Sequence, residues 1–183
     1  AVKNQVNDMK FVGAAKTVVE GVVDGTNPPS LAIEAIDSAD EGDVLVIGFV
    51  GDAKDVALMG GLMAAGAMAN GMAGAVLDGG VRDLPEIRRD YQFPIAARSV
   101  SPGTTVGRYG TLASNVAVTC GGVLVSPGDL IVCDVDGVVV VPSAYVEDVI
   151  REAEDIDRRE AAQTKIILES GSLKKGIDAF NRI

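Results

Sequence analysis

The chain has 183 residues, 48% of them hydrophobic but only 4% aromatic, with no tryptophan or histidine and a formal charge of −10. A chain of this length can bury a sizeable core, and one so poor in aromatics must build it from Val, Ile, Leu and Ala, as buried α/β sheets do. The acidic balance excludes a general nucleic-acid or anionic-membrane surface, and the lack of histidine excludes Ser-His-Asp and Cys-His catalysis and imidazole-ligated zinc.

A metal site here must use oxygen ligands or the two cysteines, so Mg²⁺, Mn²⁺ or Ca²⁺ lead. Cys120 and Cys133 lie in neighbouring apolar segments and read as reduced core thiols. No secretory leader pattern is present and no apolar run reaches about 18 residues. The expectation is a single cytoplasmic domain over residues 1–183.

In chain order, Phe11 to Val23 is rich in β-branched residues and predicts a strand. Pro28 and Pro29 bar helix in the loop that follows, and Ser30 is placed to cap a helix from Leu31 to Ser38, with Glu34 reaching back toward the cap. Glu41-Gly42-Asp43 is a turn, and Val44 to Val50 is an uninterrupted apolar run that predicts a buried strand. Gly51-Asp52 closes that strand, and Ala57 to Gly61 leads into a helix of small residues (Ala64, Ala65, Ala67, Ala69) that breaks at Asn70-Gly71.

An apolar strand from Ala73 to Leu77 then runs into a glycine turn, Asp78-Gly79-Gly80, which presents Arg82 and Asp83. A glycine turn at the carboxyl end of a strand is a common position for a small-molecule site in α/β proteins. A guanidinium fork suits a carboxylate, and an aspartate's hard oxygens suit a divalent cation. The backbone amides around Gly60 to Met63, at a helix N-terminus, form a candidate second wall for an anion. On spacing alone, Arg82 and Asp83 can equally be solvated turn residues, and Gly60 and Gly61 can serve helix–strand packing.

Beyond this stretch, Pro85 starts a short helix from Leu84 to Arg89, and Phe93 to Arg98 is a strand interrupted by Pro94. Pro102 to Thr105 is a turn. Val116 to Thr119 and Val123 to Val125 flank Gly121-Gly122 as a hairpin. Leu130 to Cys133 and Val138 to Val141 flank a turn containing Asp134, Asp136 and Gly137, read as a solvated hairpin turn because no calcium-loop ligands follow. This alternation argues for mixed or antiparallel sheets. From Ser143 to about Glu169, Val146, Val149, Ile150, Ala153, Ile156, Ile166 and Ile167 form an apolar helical stripe among many charges. Such a long, charged helix is expected to pack on a neighbouring protomer.

With these segments placed, the chain resembles the class II pyruvate aldolases that act on 4-hydroxy-4-methyl-2-oxoglutarate and 4-carboxy-4-hydroxy-2-oxoadipate, a family that includes the regulators of ribonuclease E activity. The resemblance covers nearly the whole chain. It is carried by Phe11 to Val18, Gly42 to Ile47, Gly71 to Asp83, Phe93 to Arg98, Pro127-Gly128-Asp129, and Asp136 to Pro142. It implies an α/β fold with a β-rich swivelling-type (β/β/α) core, flanking helices and a long C-terminal helix, assembled as a homotrimer or homohexamer. It implies Mg²⁺ or Mn²⁺ held by Asp83, pyruvate oxygens bound by Arg82, and the pyruvate carboxylate bound by the amides of Leu62 and Met63. It also implies an acid from a neighbour's C-terminal helix, here Glu160, acting through water on the metal. The sequence departs from the aldolases at Gly61, twenty-one positions before Arg82, where they carry an aspartate. It also starts close to its first strand, without the helical segment that usually precedes it.

The implied activity is a metal-dependent lyase that cleaves 4-hydroxy-2-oxo acids to pyruvate, decarboxylates oxaloacetate, or does both. Its partners are a small 2-oxo acid substrate and copies of itself, with no nucleic acid and no membrane. The alternative is a non-catalytic protein that binds and restrains a ribonuclease.

Overall fold

A computed structural model describes residues 1–180, the side chain of Lys54 excepted. In chain order the elements are β1 (Lys3–Asn4), β2 (Phe11–Val22), α1 (Ser30–Asp37), β3 (Val44–Phe49), β4 (Ala53–Met59), α2 (Gly61–Ala69), β5 (Gly74–Val81) and α3 (Leu84–Glu86). A π-helical turn (Ile87–Tyr91) follows, then β6 (Ile95–Val100), β7 (Tyr109–Ser114), β8 (Val118–Cys120), β9 (Val123–Val125), β10 (Leu130–Cys133) and β11 (Val138–Val141). The last helices are α4 (Val146–Ser170) and α5 (Leu173–Phe180). By its contacts the chain divides into a unit from Ala1 to Ser143 and a second beginning at Ala144.

The first unit has the expected β-rich α/β architecture. Among the described residues nine strands join in one mixed sheet, ordered β1-β6-β5-β3-β2-β10-β11, with β4 also paired to β5 and β7 to β2. Strands β2, β3, β5 and β6 run parallel, while β10 and β11 add antiparallel beyond β2. Strand β3 shows why an unbroken apolar run forms here. Leu45, Ile47 and Phe49 enter one core with Leu58, Met59, Leu77 and Ile95, whereas Val44 and Val46 enter another with Phe11, Val76 and Ile131. Successive strand side chains point to opposite faces, so a strand between two cores has no polar side. Each Leu or Ile so buried contributes about 1.5–3 kcal/mol.

Three local expectations are corrected. Asp78-Gly79-Gly80 is not a turn but the continuation of β5. Its glycines answer to β4, which pairs alongside: a Cβ on Gly79 would lie 2.7 Å from Leu58 Cγ, and one on Gly80 would lie 2.8 Å from the Val56 carbonyl oxygen. The segment leading into α2 is itself that strand, and Tyr109–Ser114 is a further strand on β2. Ser30 does not cap α1. It is the first helical residue, behind Pro29, and Glu34 acts instead at the other end, where its carbonyl accepts the Ser38 amide and hydroxyl.

The two hairpins form as read. Gly121 and Gly122 take φ of +61° and +87°, the paired positive values of a tight hairpin turn. Asp134 Oδ1 accepts the Asp136 amide at 2.9 Å, as a turn residue does. Both cysteines are free and buried, and burial pushes their thiols up to about 12 (Cys120) and about 11 (Cys133), so both stay protonated at neutral pH.

Glu20 on β2 is wholly buried, opposite Phe49 on one side and Thr111 on the other, and neither carboxylate oxygen has a hydrogen-bond partner among the described residues. Desolvation raises its pKa from 4.5 to about 7. Its stability contribution is therefore fully present below pH 4.5 and is lost as pH rises through 7. The cost amounts to about 3 kcal/mol above that range. In urea titrations, Glu20→Gln should match the native chain near pH 4.5 and gain on it by about that amount at pH 8. A stability difference that stays constant over the interval would show that Glu20 does not titrate in the fold.

In the second unit, α4 runs 25 residues with no buried side chain, laced by pairs such as Arg151–Asp148 and Arg158–Asp155. Gly171 ends it at φ +64°, and Gly176 of α5 lets that helix pack closely on Ile167. No helix among the described residues is long and apolar enough to cross a membrane.

Candidate functional site

At the end of β5 the Arg82 amide donates to the Met59 carbonyl at 3.0 Å, pinning the exit of β5 to the end of β4. The next residue, Asp83, takes φ 58° and ψ 26°. Left-handed backbone costs a non-glycine residue about 1–2 kcal/mol, and aspartate is among the few that adopt it. The conformation turns the carboxylate onto α2: Asp83 Oδ2 accepts the Gly61 amide at 3.0 Å and lies 3.5 Å from Arg82 Nε. Both side chains are partly covered, with 35% (Arg82) and 45% (Asp83) exposure, and both face a structured wall.

That wall exists because residues 60 and 61 lack side chains. A Cβ on Gly60 would lie 2.7 Å from Arg82 Nε and 2.9 Å from Asp83 Oδ2. One on Gly61 would lie 2.7 Å from Glu86 Oε2 and 3.5 Å from Asp83 Cβ. Neither glycine has a positive φ, so close approach, not backbone freedom, is what requires them. Gly60→Ala should therefore displace both charged groups and lower any turnover at the site by about 10²-fold, the usual scale for a misplacement of about 1 Å. Steady-state kinetics beside an unchanged far-UV spectrum would check this.

Glu86, which the sequence reading passes over, belongs to the site. It ends α3, three residues after Asp83, and fills the space that a side chain at 61 would take. Its other oxygen, Oε1, accepts the Tyr91 hydroxyl at 2.9 Å. That bond, foremost, raises the Tyr91 pKa and keeps the phenol a donor. The signal available in the sequence was the pairing of a glycine at 61 with a carboxylate just past Asp83.

Helix α2 supplies the anion-binding side. Its first internal bond runs from the Ala64 amide to the Gly60 carbonyl at 3.0 Å, so the amides of residues 61, 62 and 63 precede the ladder. Asp83 takes the first. The Leu62 and Met63 amides have no partner among the described residues and carry the positive end of the helix dipole. The Leu62 side chain is 90% exposed, while Met63 packs on the core.

Two carboxylates with free lone pairs fit a hard divalent ion such as Mg²⁺, which commonly takes one or two protein carboxylates and keeps its remaining oxygen ligands from water and substrate. Among the described residues, no group of three or more His, Cys, Asp or Glu side chains converges, so a chelating cage is not what this site offers. The structure thus brings Gly60, Gly61, Leu62, Met63, Arg82 and Asp83 together and adds Glu86. Glu160 lies exposed on α4, in the second unit.

The sequence pattern of the RraA-like family (Aldolase/RraA) matches residues 1–140. A provisionally named 4-hydroxy-4-methyl-2-oxoglutarate aldolase of Halalkalibacterium halodurans is 36% identical over 88% of this chain and 73% of its own length. The chain spans 62% and 61% of the length of relatives from Methanocaldococcus jannaschii and Paraburkholderia phytofirmans. Among solved structures, an uncharacterised protein of Pseudomonas syringae pv. tomato superposes with a TM-score of 0.87 at 28% identity, over 97% of this chain and 80% of that one. Streptomyces coelicolor RraAS2, described as an unusual member of the RNase ES inhibitor RraA family, gives 0.77 at 28% identity, over 88% and 79%.

Proposed function

The chain belongs to the RraA-like (Aldolase/RraA) family, and on that footing we propose that it is a divalent-metal-dependent carbon–carbon lyase, cleaving 4-hydroxy-2-oxo acids to pyruvate and decarboxylating oxaloacetate. The observation that carries this reading is the convergence of Arg82, Asp83 and Glu86 on the two glycines that open α2. The name of the Halalkalibacterium relative supports the substrate class.

In this reading Asp83 holds Mg²⁺ or Mn²⁺, with the Glu86 carboxylate beside it. The bound ion supplies Lewis-acid charge at the 2-oxo group. The Leu62 and Met63 amides take the carboxylate of the pyruvyl unit, as free amides at a helix N-terminus do. Arg82 places its fork on the 2-oxo acid oxygens and stays charged throughout, so it stabilises the negative charge that develops. In aldol cleavage the C3–C4 bond breaks, its electron pair stays on C3 as pyruvate enolate, and the 4-hydroxyl proton leaves as C4 becomes a carbonyl. Glu86 is placed to accept that proton and return one to C3. Decarboxylation breaks the bond to the departing CO₂ and leaves the same enolate, so it needs only the final protonation.

Glu160 of a neighbouring copy completes the acid–base set in this proposal, within a homotrimer or homohexamer. The exposed Val149 and Ile150 on α4 support that packing. The test is pyruvate release from oxaloacetate and from 4-hydroxy-4-methyl-2-oxoglutarate, with Mg²⁺, Mn²⁺ or EDTA. Metal-dependent release that EDTA abolishes is expected; EDTA-resistant turnover would overturn the metal role. No turnover with either substrate would favour the second reading, a ribonuclease-binding regulator, which the likeness to RraAS2 and the −10 charge support.

A further inference from the structure

Tyr91 stands five residues after Glu86, yet its hydroxyl reaches Glu86 Oε1 at 2.9 Å. In an α-helix, residues five apart lie about 140° apart around the axis and cannot meet. Here the chain leaves α3 through a π-helical turn over Ile87–Tyr91, closed by the Gln92 amide donating to the Ile87 carbonyl at 2.6 Å. The widened turn brings position 91 round to the side of Glu86. Gln92 then ends it in the left-handed region at φ 49°, a second strained residue within ten of Asp83. Wide turns of this kind inside helices occur often at functional sites. The Tyr91 ring packs against the core that also holds Ile87 and Leu84, so the hydroxyl is delivered from a fixed base.

From this geometry we infer that Tyr91 is a positioning residue, whose hydroxyl orients the Glu86 carboxylate so that Oε2 is presented beside Gly61 and Asp83. The inference rests on the role given to Glu86 in the proposed function. Glu86 is attached by three rotatable bonds, and among the described residues Oε1 has no hydrogen-bond partner but Tyr91, so one charge-assisted hydrogen bond decides where its second oxygen points. Partners in this outer layer typically change metal affinity or activity by about 10–100-fold when removed.

The experiment measures Mn²⁺ binding by calorimetry on the full chain, for the native protein, Tyr91→Phe, Glu86→Ala and the double variant. Tyr91→Phe keeps the ring in the core and removes one oxygen, and its thermal midpoint should stay near the native value. Its Mn²⁺ affinity should fall about tenfold. Adding Tyr91→Phe to Glu86→Ala should weaken binding no further, a coupling that loss of packing would not produce. Unchanged affinity in Tyr91→Phe, or the same tenfold loss in both backgrounds, overturns the positioning role alone if Glu86→Ala itself weakens binding. Native protein that binds no Mn²⁺, or Glu86→Ala with native affinity, overturns the placement of Glu86 and the inference with it.

Discussion

Asp83→Asn is expected to abolish metal-dependent pyruvate formation while leaving the protein folded. The substitution is nearly isosteric. Asparagine is among the residues that tolerate the left-handed conformation seen at φ 58°, and its side-chain oxygen can still accept the Gly61 amide. What it removes is the negative charge, and with it the hold on a divalent ion. Lewis-acid stabilisation is worth several kcal/mol, so the loss in kcat should reach about 10³-fold at one decade per 1.36 kcal/mol. Asp83→Ala is the blunter variant: it strands the Gly61 amide and adds the strain of alanine at positive φ, about 1–2 kcal/mol. Pyruvate release from oxaloacetate with saturating Mg²⁺ is the measurement. Turnover within tenfold of native, at unchanged thermal stability, would remove Asp83 from the chemistry.

Where a segment's side-chain pattern is unbroken, sequence and structure agree. The unbroken apolar run of β3, the Gly121-Gly122 hairpin and the striped, charged α4 each carry their cause locally. The misread turn in β5 has its root in glycine. Glycine signals two different needs, a positive φ and the absence of a Cβ, and the sequence does not say which. At Asp78-Gly79-Gly80 the glycines make room for Leu58 and the Val56 carbonyl of β4, so a segment that looks like a turn is a strand. Strand β4 is hard to see in the sequence because its charged Lys54 and Asp55 interrupt the apolar pattern, and β7 because Gly110, Thr111 and Ser114 dilute it. The partner strands decide both. At the site, Arg82, Asp83 and the α2 amides were legible because they sit at one strand end and one helix start. Glu86 was not, since its place depends on a void at Gly61, twenty-five positions away in sequence and adjacent in space.

That void sets the last expectation. Against the aldolases the chain resembles, Gly61 looks like a lost carboxylate, and Gly61→Asp looks like its repair. In the structure the space is taken, because Glu86 Oε2 lies 2.7 Å from where a Cβ at 61 would sit. Adding Gly61→Asp to the native chain would crowd two carboxylates into one space, raising the pKa of one and pushing the other aside; no gain in turnover is expected. Glu86→Gln should instead cost about 10²–10⁴-fold, the usual worth of a positioned acid–base group. The loss should be greater for aldol cleavage, which must take up the 4-hydroxyl proton, than for oxaloacetate decarboxylation, which skips that step. The double variant Gly61→Asp with Glu86→Gln should then recover much of the aldol activity, since the backbone at 61 has no positive φ to forbid a side chain and a neutral amide can give way. The measurement is kcat/KM for both reactions in all four proteins. A double variant no better than Glu86→Gln, though folded and metal-binding, would mean that positions 61 and 86 do not supply the same carboxylate, and that the proton in cleavage is moved by a group outside this turn.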